Sequence, residues 1–172
     1  MNGETVFIQH YDSPCGKMVL ASVGDKLCLC DWSEMPCAER NMHRLARLMH
    51  ATFKTESTRV LEQAMAQLNE YFAGTRTTFT IPLRHVGTDF QQRVWNALLQ
   101  IPYGTTRSYK DIAFSVGNAK AIRAVAQAIG ANGISIFIPC HRVIGTNSSL
   151  TGYAGGLPTK HALLSLENHP KP

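Results

Sequence analysis

The sequence lacks the features of a membrane or secreted protein. It has no uninterrupted run of about 18 apolar residues, which argues against a transmembrane helix. Residues 1–20 lack a basic stretch followed by a continuous apolar stretch, which argues against a secretory signal. The five cysteines are an odd number, so they cannot all pair within one chain. We therefore expect free thiols, no membrane partner, and a location in the cytoplasm, or in the nucleus if the source is a eukaryote.

Metal-ligand spacing is also scarce. Cys28 and Cys30 form a C-x-C pair, but the chain holds no second pair to match it. Two interpretations stay open, a zinc site or two positions of one strand, and the missing second pair favours the strand. We expect no metal.

Acidic residues are few in the second half of the chain. Residues 1–86 carry nine Lys/Arg and nine Asp/Glu, whereas residues 87–172 carry eight and three, so 8 − 3 = +5 accounts for the whole net charge. Such an asymmetry is typical of a domain that binds a polyanion, although a merely soluble basic domain has the same composition.

The hydrophobic pattern changes near residue 86. Strand-like segments separated by turn residues come first and predict an antiparallel meander, at residues 5–10, 17–23 and 26–32. Helical patterns come next, at residues 38–50 and 58–73. We predict an α+β protein with a small N-terminal α/β domain over residues 1–86 and a mainly helical C-terminal domain over residues 87–172.

The second half begins with helix signals. Thr88 and Gln91 fit a capping box, and Ser108 fits the start of a short helix that ends at Gly117. Residues 119–133 then have the period of a second helix, with an apolar face formed by Ile122, Val125, Ala126 and Ile129. Two short helices joined by a tight turn are typical of a helix-turn-helix, and equally of a helical hairpin in a core.

The other side of that second helix has almost no side chains. A stripe of alanines runs along it, at Ala121, Ala124, Ala128 and Ala131, and its long neighbours are Lys120, Arg123 and Gln127. A helix that reads bases in a major groove needs several long hydrogen-bonding side chains. Either the alanines pack against another element, or the helix backbone approaches DNA closely with Arg123 as its one cationic probe. The second interpretation implies recognition of shape, with the helix in a minor groove.

The stretch ISIFIPCHRVIG, residues 134–145, predicts a buried strand or extended segment that leads to Cys140. A thiol with an ordinary pKa of about 8.5 needs a base or a cation to ionise at neutral pH, and His141 and Arg142 are its neighbours. In an extended chain Cys140 and His141 point to opposite faces, so we expect a bridging water between them. An inert buried cysteine is the alternative. Glu167, near the chain's end, is either solvated or orients His141.

Three stretches together resemble a known family. RAVAQAIGAN (123–132), IPCHRVIG (138–145) and LTGYAGG (150–156) are similar to motifs of the O6-alkylguanine-DNA alkyltransferases, also called methylated-DNA–protein-cysteine methyltransferases. The resemblance covers about residues 87–168. It implies an N-terminal ribonuclease-H-like domain and a C-terminal domain with a winged-helix-like helix-turn-helix. It also implies binding, as a monomer, to the minor groove of double-stranded DNA that contains alkylated guanine.

The resemblance implies a role for each candidate residue. Cys140 is the alkyl acceptor, His141 deprotonates it through a water, and Glu167 holds His141. Asn132 braces the turn around the site, and Tyr109 contacts or protonates the departing guanine. The implied DNA contacts are Lys120, Ala121, Arg123, which fills the space of the flipped nucleotide, Ala124 and Gln127. The implied pocket residues are Val143, Tyr153, Ala154 and Gly155.

The reaction implied by the resemblance consumes the protein. An S-alkyl cysteine has no acyl carbon that water can attack, so each molecule acts once, without a metal or an organic cofactor. Two other classes remain open from the residues alone. One is a DNA-binding protein that recognises lesions or regulates transcription without chemistry, and the other is a cysteine hydrolase.

Overall fold

The computed structural model describes residues 2–168. Its first half is built on a four-stranded sheet of strand order β3-β2-β1-β4. The strands are β1 (Thr5–Ser13), β2 (Gly16–Val23), β3 (Lys26–Trp32) and β4 (Thr52–Thr55). The antiparallel meander of β1 to β3 confirms the prediction. Sequence reasoning missed β4, which pairs parallel to β1, because its four residues are largely exposed and too few to show alternation.

Two helices cover opposite faces of this sheet. The helices are α1 (Pro36–Met49) and α2 (Arg59–Phe72). Leu45 of α1 packs in a core cluster with Cys28, whereas Leu61 of α2 packs in a second cluster with Cys30. The register of β2 and β3 shifts at Ala21 and leaves Cys28 as an extra residue in β3, which separates the two thiols. The strand interpretation of the C-x-C pair is therefore confirmed.

The second half is mainly helical, as predicted. Its elements are α3 (Asp89–Leu98), β5 (Arg107–Ser108), α4 (Tyr109–Ser115), α5 (Ile122–Gly130), a one-turn 3-10 helix (Cys140–Arg142), β6 (Val143–Ile144) and α6 (Leu157–Asn168). The predicted capping box at Thr88 is present, and Ser108 forms another with Asp111. Helices α3, α4 and α5 pack together, and β5 pairs with β6. The α+β fold class is thus confirmed, while the domain boundary at residues 86 and 87 stays a prediction.

Helix α5 differs from its prediction in two respects. It begins at Ile122, whose side chain is 41% exposed although it was predicted to lie on the apolar face. Ala128 is 3% exposed, and its carbonyl accepts a hydrogen bond from Trp95 Nε1 at 2.8 Å. The predicted alanine stripe is therefore interrupted, because α3 packs against α5 at Ala128. Ala124 remains exposed.

The predicted strand at residues 134–138 is wrong. The segment is buried, but it forms a tight turn in which Ile136 has a φ of 71°. The turn pairs only briefly with the edge of β3, where Ser135 N donates to Cys30 O at 2.7 Å. Its alternating apolar residues reflect burial of a turn between two packed elements. Cys140 therefore begins a 3-10 turn instead of ending a strand.

None of the helices formed by residues 2–168 is long and apolar enough to cross a membrane.

Candidate active site

Cys140 lies at the start of the 3-10 turn and is 6% exposed. Asn132 Nδ2 donates a hydrogen bond to Cys140 Sγ at 3.1 Å and another to Ile138 O at 3.0 Å. Asn132 Oδ1 accepts from Ile134 N at 2.9 Å, so this one side chain closes the preceding turn. Burial raises the pKa of Cys140 to about 11, although the Asn132 hydrogen bond acts in the opposite direction. The resting group is a thiol that needs a base.

His141 and Glu167 form a buried pair, with 2.7 Å between His141 Nε2 and Glu167 Oε1. Burial lowers the pKa of His141, so the ring is neutral at pH 7. An ionised carboxylate can only accept a hydrogen bond, and we therefore assign the ring proton to Nε2. His141 Nδ1 is left as an acceptor, and it is buried without a hydrogen-bond partner.

No hydrogen bond joins Cys140 Sγ to the His141 ring. The sequence argument for this separation, that an extended chain directs the two side chains to opposite faces, is wrong because both residues belong to a 3-10 turn. Glu167 binds the ring at Nε2, so Nδ1 is the nitrogen that remains for a bridging water. Glu167 lies at hydrogen-bond distance from His141, as that interpretation requires, while its role in the reaction stays a prediction.

Arg142 was expected near the thiol, but it binds Glu167 instead. Its Nε donates to Glu167 Oε2 and its Nη2 to Glu167 Oε1, both at 2.9 Å, while Nη1 donates to Ile101 O at 2.8 Å. Burial raises the pKa of Glu167, but hydrogen bonds from His141 and Arg142 outweigh it and lower the pKa to about 2. Glu167 is therefore ionised throughout the physiological range.

A cavity of about 610 Å³ opens above Cys140. Its lining comes from both halves of the chain and from the Gly-rich loop: Pro36, Cys37, Arg40, Arg44, Tyr109, Ala126, Gln127, Ile129, Gly130, Ala131, Cys140, Gly152, Tyr153 and Ala154. Tyr109 OH donates to Thr151 O at 2.9 Å, and burial raises the pKa of Tyr109, so it carries its proton at neutral pH.

Two of the predicted pocket residues do not line this cavity. Val143 is fully buried, because it is the first residue of β6 and its side chain lies in the core. Gly155 packs against the Trp32 ring, where an added Cβ would lie 2.6 Å from Trp32 Nε1. Tyr153 and Ala154 do line the cavity.

Lys160 is a site residue that sequence reasoning missed. Its side chain is fully buried in α6, and Nζ donates to three carbonyls, Val143 O at 2.5 Å, Thr151 O at 2.9 Å and Gly152 O at 3.3 Å. Burial lowers its pKa. Lys160 thereby ties the chain just after the 3-10 turn to the Gly-rich loop. The only sequence signal was a lysine inside the apolar pattern of a terminal helix.

The first half of the chain also supports this loop, although its sequence showed no chemical constellation. Trp32 Nε1 donates to Tyr153 OH at 3.2 Å. Cys37 Sγ lies 3.7 Å from Ala154 O and donates to Asp31 Oδ1 at 3.1 Å. The cavity wall formed by Tyr153 and Ala154 is therefore held from behind by β3 and α1.

Among the predicted DNA contacts, Gln127 lines this cavity. Lys120, Arg123, Ala124 and Gln127 are exposed, and Ala121 is half-buried. The end of α5 is held by α1, since Arg40 Nη2 donates to Gly130 O at 3.4 Å and Arg44 Nη1 donates to Ala131 O at 2.8 Å. Cationic side chains near a helix C-terminus also interact favourably with the helix dipole. The exposed face of α5 is thus fixed relative to the cavity.

A helix-turn-helix beside a cavity that contains a cysteine and its base is the arrangement of a DNA-binding protein with a reactive thiol. The chain matches two family models, the ribonuclease-like domain of 6-O-methylguanine DNA methyltransferase over residues 6–85 and the DNA-binding domain of the same protein over residues 89–169. The chain belongs to this family of DNA repair methyltransferases.

Relatives and solved structures agree with this assignment. The constitutive methylated-DNA–protein-cysteine methyltransferase of Bacillus subtilis is 44% identical over 162 residues, which covers 91% of this chain and 92% of that protein. The O6-methylguanine methyltransferase of Mycobacterium tuberculosis superimposes with a TM-score of 0.82 at 45% identity, covering 97% of this chain and 95% of that one. A structure of the M. tuberculosis protein OGT in complex with DNA gives a TM-score of 0.80 at 44% identity, covering 95% and 92%.

Proposed function

We propose that this protein repairs O6-alkylguanine in double-stranded DNA by transferring the alkyl group to Cys140. The observation that supports this proposal most strongly is the position of Cys140, which borders the cavity, contacts Asn132 and lies next to a buried His141–Glu167 pair. The relatives' names, which specify methylated DNA and a protein cysteine, support the substrate and the acceptor. The protein acts where the chromosome lies, in the cytoplasm of a bacterium or the nucleus of a eukaryote.

The first step is deprotonation of Cys140 by His141. A thiol whose pKa is about 11 is almost entirely protonated at neutral pH, so transfer requires a base. His141 Nδ1 is an unpaired acceptor, and one water takes the proton from Cys140 Sγ and passes a proton to Nδ1. Glu167 stabilises the resulting imidazolium. Asn132 stabilises the thiolate through its hydrogen bond to Sγ.

The second step is nucleophilic substitution at the alkyl carbon. The thiolate forms a C–S bond as the C–O6 bond breaks, and the bonding pair of electrons leaves with guanine. Tyr109 carries its proton and borders the cavity, so it donates a hydrogen bond or the proton to the departing base once its hydroxyl turns away from Thr151 O. The product is a thioether that water cannot hydrolyse, so each molecule reacts once and needs no cofactor.

The target base has to leave the duplex before the thiolate can reach it. Extrusion costs on the order of a few kcal/mol, which phosphate contacts and an inserted side chain offset. Arg123 is exposed on α5 and has the reach to occupy the vacated space, while the small side chain of Ala124 lets the helix approach the minor groove. Lys120 and Gln127 contact the DNA backbone. The protein does this as a monomer.

The rival functions have less support. A DNA-binding protein without chemistry does not require a base network beside Cys140, and the Bacillus subtilis relative reported above is named a methyltransferase. A cysteine hydrolase works best with a direct hydrogen bond from the nucleophile to its base, which Cys140 and His141 do not make.

A matched pair of proteins tests the proposal. The natural protein and Cys140→Ser are each incubated with a duplex that contains one O6-methylguanine, and the remaining lesion is quantified after digestion to nucleosides. We expect the natural protein to remove the lesion and Cys140→Ser to bind the duplex without removing it. Lesion loss with Cys140→Ser would show that the acceptor is assigned wrongly.

A further inference from the structure

We propose that Tyr71 is a positioning residue for the proton relay, because its hydroxyl donates to the Glu167 oxygen that also binds His141. Tyr71 belongs to α2 and is distant from the Cys140 motif in sequence. Tyr71 OH donates to Glu167 Oε1 at 2.8 Å across 96 residues of sequence. The inference rests on the proposed function, since it assigns Tyr71 to the relay that prepares Cys140.

The Tyr71 side chain is fully buried and held on several sides. Its ring packs against Phe72, Phe79 and Tyr103, with the Tyr103 ring edge-on and 6.3 Å away between centroids. Burial and the charge of Glu167 both raise the pKa of Tyr71, so its hydroxyl keeps its proton and acts as a donor. A fixed ring with one donor gives the carboxylate a directional contact from the first half of the chain.

That contact divides the charge of Glu167 among several donors. Oε1 accepts from His141, from Arg142 Nη2 and from Tyr71, and Oε2 accepts from Arg142 Nε and, at 3.4 Å, from Gly104 N. Without the Tyr71 hydroxyl, the negative charge on Oε1 is less neutralised by hydrogen bonds, so its attraction for a protonated His141 ring is stronger. The imidazolium form is then favoured, and fewer molecules hold the neutral ring that can take the proton from Cys140.

The other charged or titratable groups around the ring stay in place when only this hydroxyl is removed. They are Cys140, Arg142, Lys160 and Glu167, with Tyr103 next to Glu167. Tyr103 also offers a matched control, because its hydroxyl donates to Leu166 O at 3.4 Å and not to the carboxylate. Tyr71→Phe and Tyr103→Phe therefore remove one hydroxyl each from neighbouring aromatic rings.

The test uses the full chain and two readouts. Nitrogen-15 NMR of the His141 imidazole as a function of pH reports its protonation without any DNA, and single-turnover transfer from an O6-methylguanine duplex reports the relay. We expect Tyr71→Phe to raise the His141 midpoint by about 0.5 unit or more and to move the acid limb of the rate profile upward with it. Tyr103→Phe leaves both unchanged.

An unchanged His141 midpoint in folded Tyr71→Phe would overturn the inference. If Tyr71→Phe does not fold, 3-fluorotyrosine at position 71 keeps the ring and makes the hydroxyl a stronger donor, so the midpoint is expected to fall, and no fall would overturn the inference. The two proposals fail separately. If Tyr71→Phe shifts the His141 midpoint but the natural protein transfers no methyl group, the proposed function is contradicted. If the natural protein transfers the methyl group but Tyr71→Phe shifts no midpoint, the role of Tyr71 is contradicted.

Discussion

Replacing Gly155 by alanine tests whether the first half of the chain holds the cavity wall. A Cβ at this position would lie 2.6 Å from Trp32 Nε1, 2.7 Å from Cδ1 and 2.9 Å from Cε2. The Trp32 ring is 3% exposed and its Nε1 is bonded to Tyr153 OH, so it cannot move aside without losing that contact. Either the ring or the loop has to shift.

Overpacking of this kind costs about 1–3 kcal/mol, and loss of the Trp32–Tyr153 hydrogen bond adds about 1 kcal/mol. We expect Gly155→Ala to lower the free energy of unfolding by about 2–4 kcal/mol in urea denaturation followed by circular dichroism. Displacement of Tyr153 and Ala154 also slows alkyl transfer. The control for stability is Gly130→Ala, since a Cβ there would meet nothing within 4 Å beyond its chain neighbours and its own helix backbone. Its expected effect is a gain of up to about 1 kcal/mol, because alanine is the better helix former.

The reasoning is refuted if Gly155→Ala unfolds within about 0.5 kcal/mol of the natural protein and transfers methyl at the same rate. That result would mean that the loop adjusts freely to Trp32.

Three further predictions concern charged side chains. The pKa of Glu167 is about 2 in the folded chain against about 4.3 when unfolded, so its stabilisation, about 3 kcal/mol, is complete above pH 5 and is lost as the pH falls toward 2. Glu167→Gln is expected to be less stable at pH 7, because Arg142 loses its buried partner. Between pH 5 and pH 3 its free energy of unfolding, measured in urea, should fall by less than that of the natural protein. Equal falls in the two proteins would contradict this prediction. Lys160→Met removes the donor to three backbone carbonyls and is expected to lower the free energy of unfolding by at least about 2 kcal/mol, as measured by urea unfolding. A change below about 0.5 kcal/mol would show that these contacts contribute little. Arg123→Ala should slow repair of duplex DNA more than reaction with a free O6-alkylguanine base, and equal losses would exclude a role in base flipping.

Sequence reasoning succeeded where a local pattern has one structural solution. Thr88 and Ser108 cap helices as predicted, and the meander follows from its turns. Sequence reasoning failed where the same buried pattern fits more than one structure. The apolar run at residues 134–138 alternates like a strand, but the hydrogen bonds of Asn132 fold it into a turn. The packing of α3 decided the burial of Ala128, which no pattern within α5 could predict.

The residues of the candidate site also fall into those that the sequence indicated and those that it did not. Motif resemblance pointed to Cys140 and His141, which lie in one motif, and to Glu167, which lies further along within the same resemblance over residues 87–168. Tyr71 and Lys160 escaped prediction, since a tyrosine in an amphipathic helix and a lysine in a terminal helix are most simply interpreted as a core residue and a solvated one. Their roles depend on contacts across 96 and 17 residues, respectively.

The central claim is that Cys140 receives the alkyl group once and keeps it. Incubation with excess duplex that carries O6-methylguanine, followed by peptide mass spectrometry, measures both the position and the stoichiometry of methylation. The account predicts one methyl group per protein molecule, on Cys140, with lesion removal ending at one equivalent. An unmodified Cys140 after repair, or repair beyond one equivalent, would contradict it.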